Sequence, residues 1–221
     1  EVKQNNKVLI IKDFLSSSQI NCILEETKKV LIKMKPGKKD YSKLCSNFYH
    51  MEKNTKDDDQ KRINNNEPLR PRNQRVFKLL PWHDYNNKFI NLIKKISVFR
   101  NQIGKRNKNY GLDLSLGYFN FVQVIQYQPD LGYISKHNDK HFYERYNISS
   151  PFEMLVMLST RGIEYHEGGL FVEINSKKID LEKFIKKGDI VVYNVKNNHG
   201  VEKVIEKNVT NYGSGENSKL L

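Results

Sequence analysis

His137 and Asp139 stand two positions apart in the segment Gly132-Tyr133-Ile134-Ser135-Lys136-His137-Asn138-Asp139. On an extended strand, residues i and i+2 point to the same face, so this imidazole and this carboxylate can reach one metal ion together. A third donor must then arrive from a distant strand, and His199 follows the apolar run Asp189 to Val195. Two imidazoles and one carboxylate on one face of an octahedron leave the opposite positions open, the donor set suited to a non-haem Fe(II) centre. An HxD pair alone also arises by chance, and rival donors lie close. His141 shares the face if the strand continues, and Glu144 follows it. A local HxDxH cluster or a solvated loop therefore stays open on these residues alone.

The elements that must position these side chains are legible as a change of texture along the chain. Lys7 to Lys12 is a short β-branched strand candidate. Ser16, Ser17 and Ser18 offer N-caps to a helix carrying Ile20, Ile23, Leu24, Val30 and Leu31, broken at Pro36-Gly37. Lys53 to Arg75 is nearly devoid of apolar residues and reads as a mobile loop, a lid or a disordered insert. A second amphipathic helix spans about Asn86 to Gly104, with Phe89, Ile90, Ile93, Ile96 and Val98 on its apolar side. After Gly111, short strands alternate with polar turns: Leu116 to Tyr127, Met154 to Ser159, Gly169 to Ile174, Asp189 to Val195 and Val201 to Ile205. That spacing is typical of an antiparallel sandwich or barrel. The expectation is one domain over 1–221, mainly β with flanking helices: a helical support with its loop over 1–110, and a β core over 111–221.

From about Phe121 to Val204 the chain resembles the 2-oxoglutarate- and Fe(II)-dependent oxygenases, in particular their prolyl-hydroxylase-like and small-molecule hydroxylase branches. Val122 to Pro129 resembles the strand before the HxD, with Tyr127 at the spacing of a cosubstrate-contacting Tyr. Met154 to Leu158 resembles the strand after it, and Glu167-Gly168-Gly169-Leu170-Phe171-Val172 the EGGxxx strand. Lys187-Gly188-Asp189 resembles the GD turn, and Asn198-His199-Gly200-Val201 the HGV segment with the distal ligand. The resemblance implies a double-stranded β-helix (jelly-roll, cupin-like) core, with Fe(II) held by His137, Asp139 and His199. It implies 2-oxoglutarate and O₂ as cosubstrates, with ascorbate supportive in vitro. The implied reaction couples decarboxylation of 2-oxoglutarate to hydroxylation of an unactivated C–H bond. Related halogenases carry a small residue in place of the carboxylate, so Asp139 disfavours halogenation.

One part of the resemblance does not match. The basic residue expected for the far carboxylate of 2-oxoglutarate would fall near Val209, and no Arg follows Arg161. Lys203 and Lys207 are near in sequence, and Lys219 is the residue assigned if Asn208 to Asn217 is an inserted loop. An anchor and a complete last strand beyond Leu221 would explain the mismatch equally well. Candidate substrate-binding residues are Arg161, Gln123, which shares the strand face of Tyr127, and Trp82. A turn-stabilising ion pair is as good a reading for Arg161. His50, His83 and His166 lack ligand-spaced partners and read as structural or surface residues.

Composition bounds the function. The 221 residues carry 38 Lys and Arg against 25 Asp and Glu, a formal +13. Thirty of the basic residues are Lys and only eight Arg, while Ala is absent. That is the pattern of an AT-rich coding sequence rather than of phosphate recognition, which favours the bidentate Arg fork. Some of the charge would still help attract dianionic 2-oxoglutarate. Cys22 and Cys45 cannot form a disulfide framework and read as reduced thiols in a cytoplasmic protein. No apolar run long enough to cross a membrane occurs, and no signal-like stretch follows Glu1. The expected partner is a small molecule, an amino acid or a natural-product intermediate. A peptide or prolyl-type hydroxylase, a nucleic-acid oxygenase and a non-catalytic β-barrel are the alternatives, with nucleic acid disfavoured.

Overall fold

The computed structural model describes residues 7–35, 47–50, 60–61, 64–65, 73–120, 122–130, 132–140, 144 and 152–206. The chain enters on β1 (Val8–Ile11) and α1 (Ser17–Leu31), then β2 (Phe48–His50), β3 (Gln74–Leu79) and α2 (Asn87–Ile103). Seven strands follow: β4 (Val122–Tyr127), β5 (Ile134–His137), β6 (Phe152–Val156), β7 (Glu167–Ile174), β8 (Lys177–Asp180), β9 (Ile190–Asn194) and β10 (His199–Ile205). Among the described residues, the molecule is mainly β with two long helices. No helix among the described residues is long and apolar enough to cross a membrane.

Both helices start where their sequences supply a cap. The Ser16 hydroxyl accepts from the Gln19 amide, and the Gln19 side chain accepts from the Ser16 amide, a closed capping box. Asn86 caps α2 by accepting from the Lys88 amide. Ile20, Ile23 and Leu31 of α1 and Phe89, Leu92 and Ile96 of α2 form one buried stripe. That stripe packs on Phe77 and Leu79 of β3, Val124 of β4 and Leu158 beyond β6. A second helix-side cluster sets Phe99 and Ile103 of α2 against Ile190 and Val192 of β9.

The strands form three antiparallel sheets, in the orders β1-β9-β6, β5-β10-β7-β8 and β2-β3-β4. Strand alternation gives β9 two buried faces: Ile190 and Val192 turn to the helices, while Val191 and Tyr193 turn inward. Inward, they meet Leu170 and Val172 of β7. All five residues of β9 are therefore buried, which explains the apolar run Ile190 to Tyr193. Ile125 and Tyr127 of β4 face the same interior, packing with Ile134, Val201 and Val204 of the second sheet.

The first part of the chain is more β-rich than its sequence indicates. Besides β1, it contributes β2 and β3, which extend β4 on its far side. The polar segment expected as a loop over 53–75 ends inside β3, where Gln74 is buried and Arg75 half-buried. Gln74 pairs with Tyr127 across the ladder, while Arg75 donates to the Gln126 side chain and lies over the Tyr49 ring, so strand pairing draws polar residues into the sheet. Most of that segment, and Cys45, lie outside the described residues.

Candidate metal centre

His137 closes β5 and His199 opens β10, and the two are direct antiparallel partners. Cross-strand partners present their side chains on one face, so the two imidazoles are brought together by register alone. Their ring centroids lie 4.4 Å apart. Asp139 sits two residues beyond His137, where its amide donates to the Val195 carbonyl at 3.1 Å. That bond turns its carboxylate back over the pair: Oδ1 is 3.7 Å from His137 Nε2 and Oδ2 is 3.2 Å from His199 Nε2. Donor atoms of the three residues all fall within 4.8 Å of one another.

The second nitrogens settle the tautomers. His137 Nδ1 is 2.7 Å from the Ser135 carbonyl, and His199 Nδ1 is 3.1 Å from the Asn197 carbonyl. A carbonyl can only accept, so both Nδ1 atoms carry the proton, and in the neutral rings both Nε2 lone pairs face the carboxylate. Two lone pairs and an anion turned toward one another call for a cation between them. The residues present therefore fit a divalent metal: neutral imidazoles, one carboxylate, and carbonyls holding the rings in orientation.

The surroundings hold this geometry. Asn197 donates from its side chain to the Glu173 carbonyl, and Asn198 to the Glu173 carboxylate. Asn138 reaches the Asn198 side chain at 3.2 Å, tying the turn after His137 to the turn before His199. Tyr193 packs its ring 4.9 Å from that of His199. At Gly200, a β-carbon would stand 2.7 Å from the Ile134 carbonyl and 2.8 Å from the Phe171 ring, so only glycine lets β10 pass between β5 and β7 here.

The charges are mutually adjusted. Burial alone would push the Asp139 carboxyl up, but the adjacent His199 and His137 outweigh it and hold the group below its usual range. Burial lowers His137, helped by its neighbour His199. Burial also disfavours charge on His199, yet the hydrogen bond and charge of Asp139 win and raise it. Tyr127 is pushed well above the usual phenol range, first by burial and then by the Asp139 charge.

Of the other expected site residues, Tyr127 is buried on the inner face of β4. Gln123 lies on the same face of the same strand but is exposed. Trp82 is 55 % exposed just past β3, edge-on to Phe119 at 5.1 Å. Arg161 makes a two-pronged ion pair with Asp180, at 2.9 and 3.2 Å, and donates to the Gly168 carbonyl. Its fork is thus engaged in joining the turn before β7 to β8, the ion-pair reading of that residue. Lys219 and His141 lie outside the described residues, while Glu144 pairs with Lys140 at 3.6 Å. His166 is half exposed beside Glu167. Sequence reasoning missed Asn138, Asn197, Asn198 and Glu173, because Asn in a polar turn reads first as turn chemistry. It also missed the buried Lys78.

No family model matches the sequence, and no curated protein does. Solved structures do match. A prolyl hydroxylase from Trichoplax adhaerens, solved with a hypoxia inducible factor oxygen degradation domain peptide, superposes with a TM-score of 0.53 at 13% identity, covering 91% of this chain and 79% of that one. AviO1 from Streptomyces viridochromogenes Tue57 gives 0.52 at 11% identity, over 94% and 87%. A candidate oxygenase from Shewanella oneidensis gives 0.51 at 10% identity, over 100% and 80%. The fold is that of the 2-oxoglutarate and Fe(II) oxygenases. In this oxygenase fold, the jelly-roll core is supplied by the β5-β10-β7-β8 sheet facing the sheets built on β9 and β4. The His-Asp-His cluster sits on that core, spanning the β5–β10 seam.

Proposed function

We propose that this chain is an Fe(II)- and 2-oxoglutarate-dependent dioxygenase that hydroxylates an unactivated C–H bond of a small molecule. The observation that carries the reading is the convergence of His137, Asp139 and His199 with both Nδ1 protons tied to backbone carbonyls. Held by these three residues, Fe(II) together with 2-oxoglutarate would supply the oxidising chemistry, with succinate and CO₂ as coproducts.

The chain's own residues do the positioning. Ser135 and Asn197 fix the two rings, and the Asn138–Asn198 contact fixes their separation. Tyr127, held protonated by burial, remains a hydroxyl donor at neutral pH and packs on the inner face of β4 with Ile134 and Val204, where it would contact the cosubstrate. Leu170, Val172 and Tyr193 form the apolar wall of that interior and exclude water from it. A peptide substrate is the second reading, favoured by the fold's likeness to a hydroxylase solved with a bound peptide.

The test is direct. Purified protein supplied with Fe(II), 2-oxoglutarate, O₂ and ascorbate is expected to form succinate without added substrate, slowly, and faster with the right one. Mass spectrometry of a treated metabolite extract, and of a treated peptide pool, should show a product heavier by one oxygen in the former. Protein that binds no Fe(II) and forms no succinate would overturn the enzyme reading.

A further inference from the structure

Eight large apolar side chains stand exposed among the described residues, and four of them, Trp82, Leu114, Leu116 and Tyr118, fall in two segments that touch. Trp82 lies in the turn after β3, and its ring meets Phe119 edge-on at 5.1 Å. Next to Phe119, Tyr118 stacks on Tyr110 at 4.6 Å, and the Arg106 guanidinium lies over the Tyr110 ring at 4.4 Å. Two groups this close cannot share one face, so both faces of Tyr110 are covered. The frame beneath these side chains is fixed. The Tyr85 hydroxyl accepts from the Leu80 amide and its ring packs on Phe77 and Phe89, pinning the turn that carries Trp82. The fully buried Asn101 of α2 donates to the Lys108 and Tyr110 carbonyls at 3.0 and 2.8 Å, and Asn120 donates to the Tyr110 carbonyl as well. Apolar side chains displayed on a fixed frame lose little entropy when covered, which suits a docking surface.

The charge along this ridge is one-sided. Across residues 80–88 and 104–120 the cations are Lys88, Lys105, Arg106 and Lys108, against Asp84 and Asp113. Asp113 is committed to the Ser115 amide and hydroxyl, at 3.0 and 2.6 Å. We propose that the ridge of Trp82, Leu114, Leu116 and Tyr118 docks an acidic peptide segment that carries large apolar residues. The peptide's apolar side chains cover the ridge, and its carboxylates meet the basic rim. A single-stranded nucleic acid suits the surface less well, because Tyr110 has no open face for a base to stack on, and Leu114 and Leu116 have no ring. A second copy of the chain would bring another +13 toward the same basic rim. The docking does not depend on the oxygenase reading of the triad.

Trp82 is the sole tryptophan of the chain, so its emission reads the surface directly. A synthetic peptide alternating Glu with Leu is expected to blue-shift that emission saturably. The same peptide with Lys for Glu, or with Ser for Leu, should leave it unmoved. Leu116→Asp and Lys108→Glu should each weaken the Glu–Leu peptide by about 10-fold, the size of a lost interface anchor. Both side chains are exposed, so circular dichroism and the thermal midpoint should stay at the wild-type values. No saturable shift, equal binding of the Lys–Leu peptide, or undiminished binding by both variants would overturn the proposal. Saturation by oligo(dT) and not by the peptide would overturn it in favour of a single-stranded nucleic acid. A dimer in sedimentation that Leu116→Asp dissolves would overturn it in favour of a second copy.

Discussion

Asp139 is the residue on which the candidate centre turns, because it is the only anion of the three and stands against both imidazoles. Replacing it with Ala removes that charge from a partly buried position and takes from the buried His199 the carboxylate that its Nε2 faces. The expected result is a folded protein with normal circular dichroism, lost metal content by elemental analysis and no succinate. Retained hydroxylation would refute the ligand assignment. Tyr127→Phe is a finer probe: the ring still packs with Ile125 and Val204, so metal content should hold while the apparent KM for 2-oxoglutarate rises. The HxD pair and His199 were legible because metal donors carry a spacing that a strand's period explains. The burial of Lys78 was not, because one Lys among thirty carries no signature of its surroundings. Neither were the asparagines that join the two ligand turns, since their partners lie far away in sequence.

The strands deliver these residues through register, so faults in register should act on the site at a distance. Gly168 has φ +84, and a β-carbon there would stand 2.0 Å from the Lys203 carbonyl. Gly168→Ala must therefore push β7 from β10, and is expected to lower both the thermal midpoint and metal affinity, although the residue touches no ligand. Asp189 is a second point of control. Its carboxylate, fully shielded from solvent, accepts from the Asp13 and Lys186 amides and from Lys12. Burial would raise its pKa, but these bonds prevail and lower it. A carboxyl depressed in the folded state contributes stability above its unfolded pKa and loses it as pH falls through the folded value. Asp189→Ala should cost about 1–3 kcal/mol at neutral pH, as the Asp13 and Lys186 amides lose their acceptor, and the difference from wild type should shrink in denaturant titrations at acid pH. The helices and β9 could be read in advance because caps and unbroken apolar runs are local signals. β3 and β8 could not: Gln74-Arg75 and Lys177-Lys178 look like loop, and only pairing with β4 and β7 makes them strands.

At the scale of the molecule, the +13 comes mainly from thirty lysines spread along the sequence, and the triad adds almost nothing to it. Binding to duplex DNA should be weak, indifferent to sequence, and abolished by moderate salt in a filter or anisotropy assay; salt-resistant binding would reopen the nucleic-acid reading. The pairing of His137 with His199 has a different consequence. Four strands, β6 to β9, lie between these two residues in the chain. An ion gripping both would act as a removable staple, closing a long loop that the unfolded chain would otherwise leave open. By mass action, the grip adds RT ln(1 + [M]/Kd) to the folding free energy. The melting temperature should climb with the logarithm of free metal and fall back with a chelator, so a thermometer alone can measure the affinity of the centre before any substrate is known.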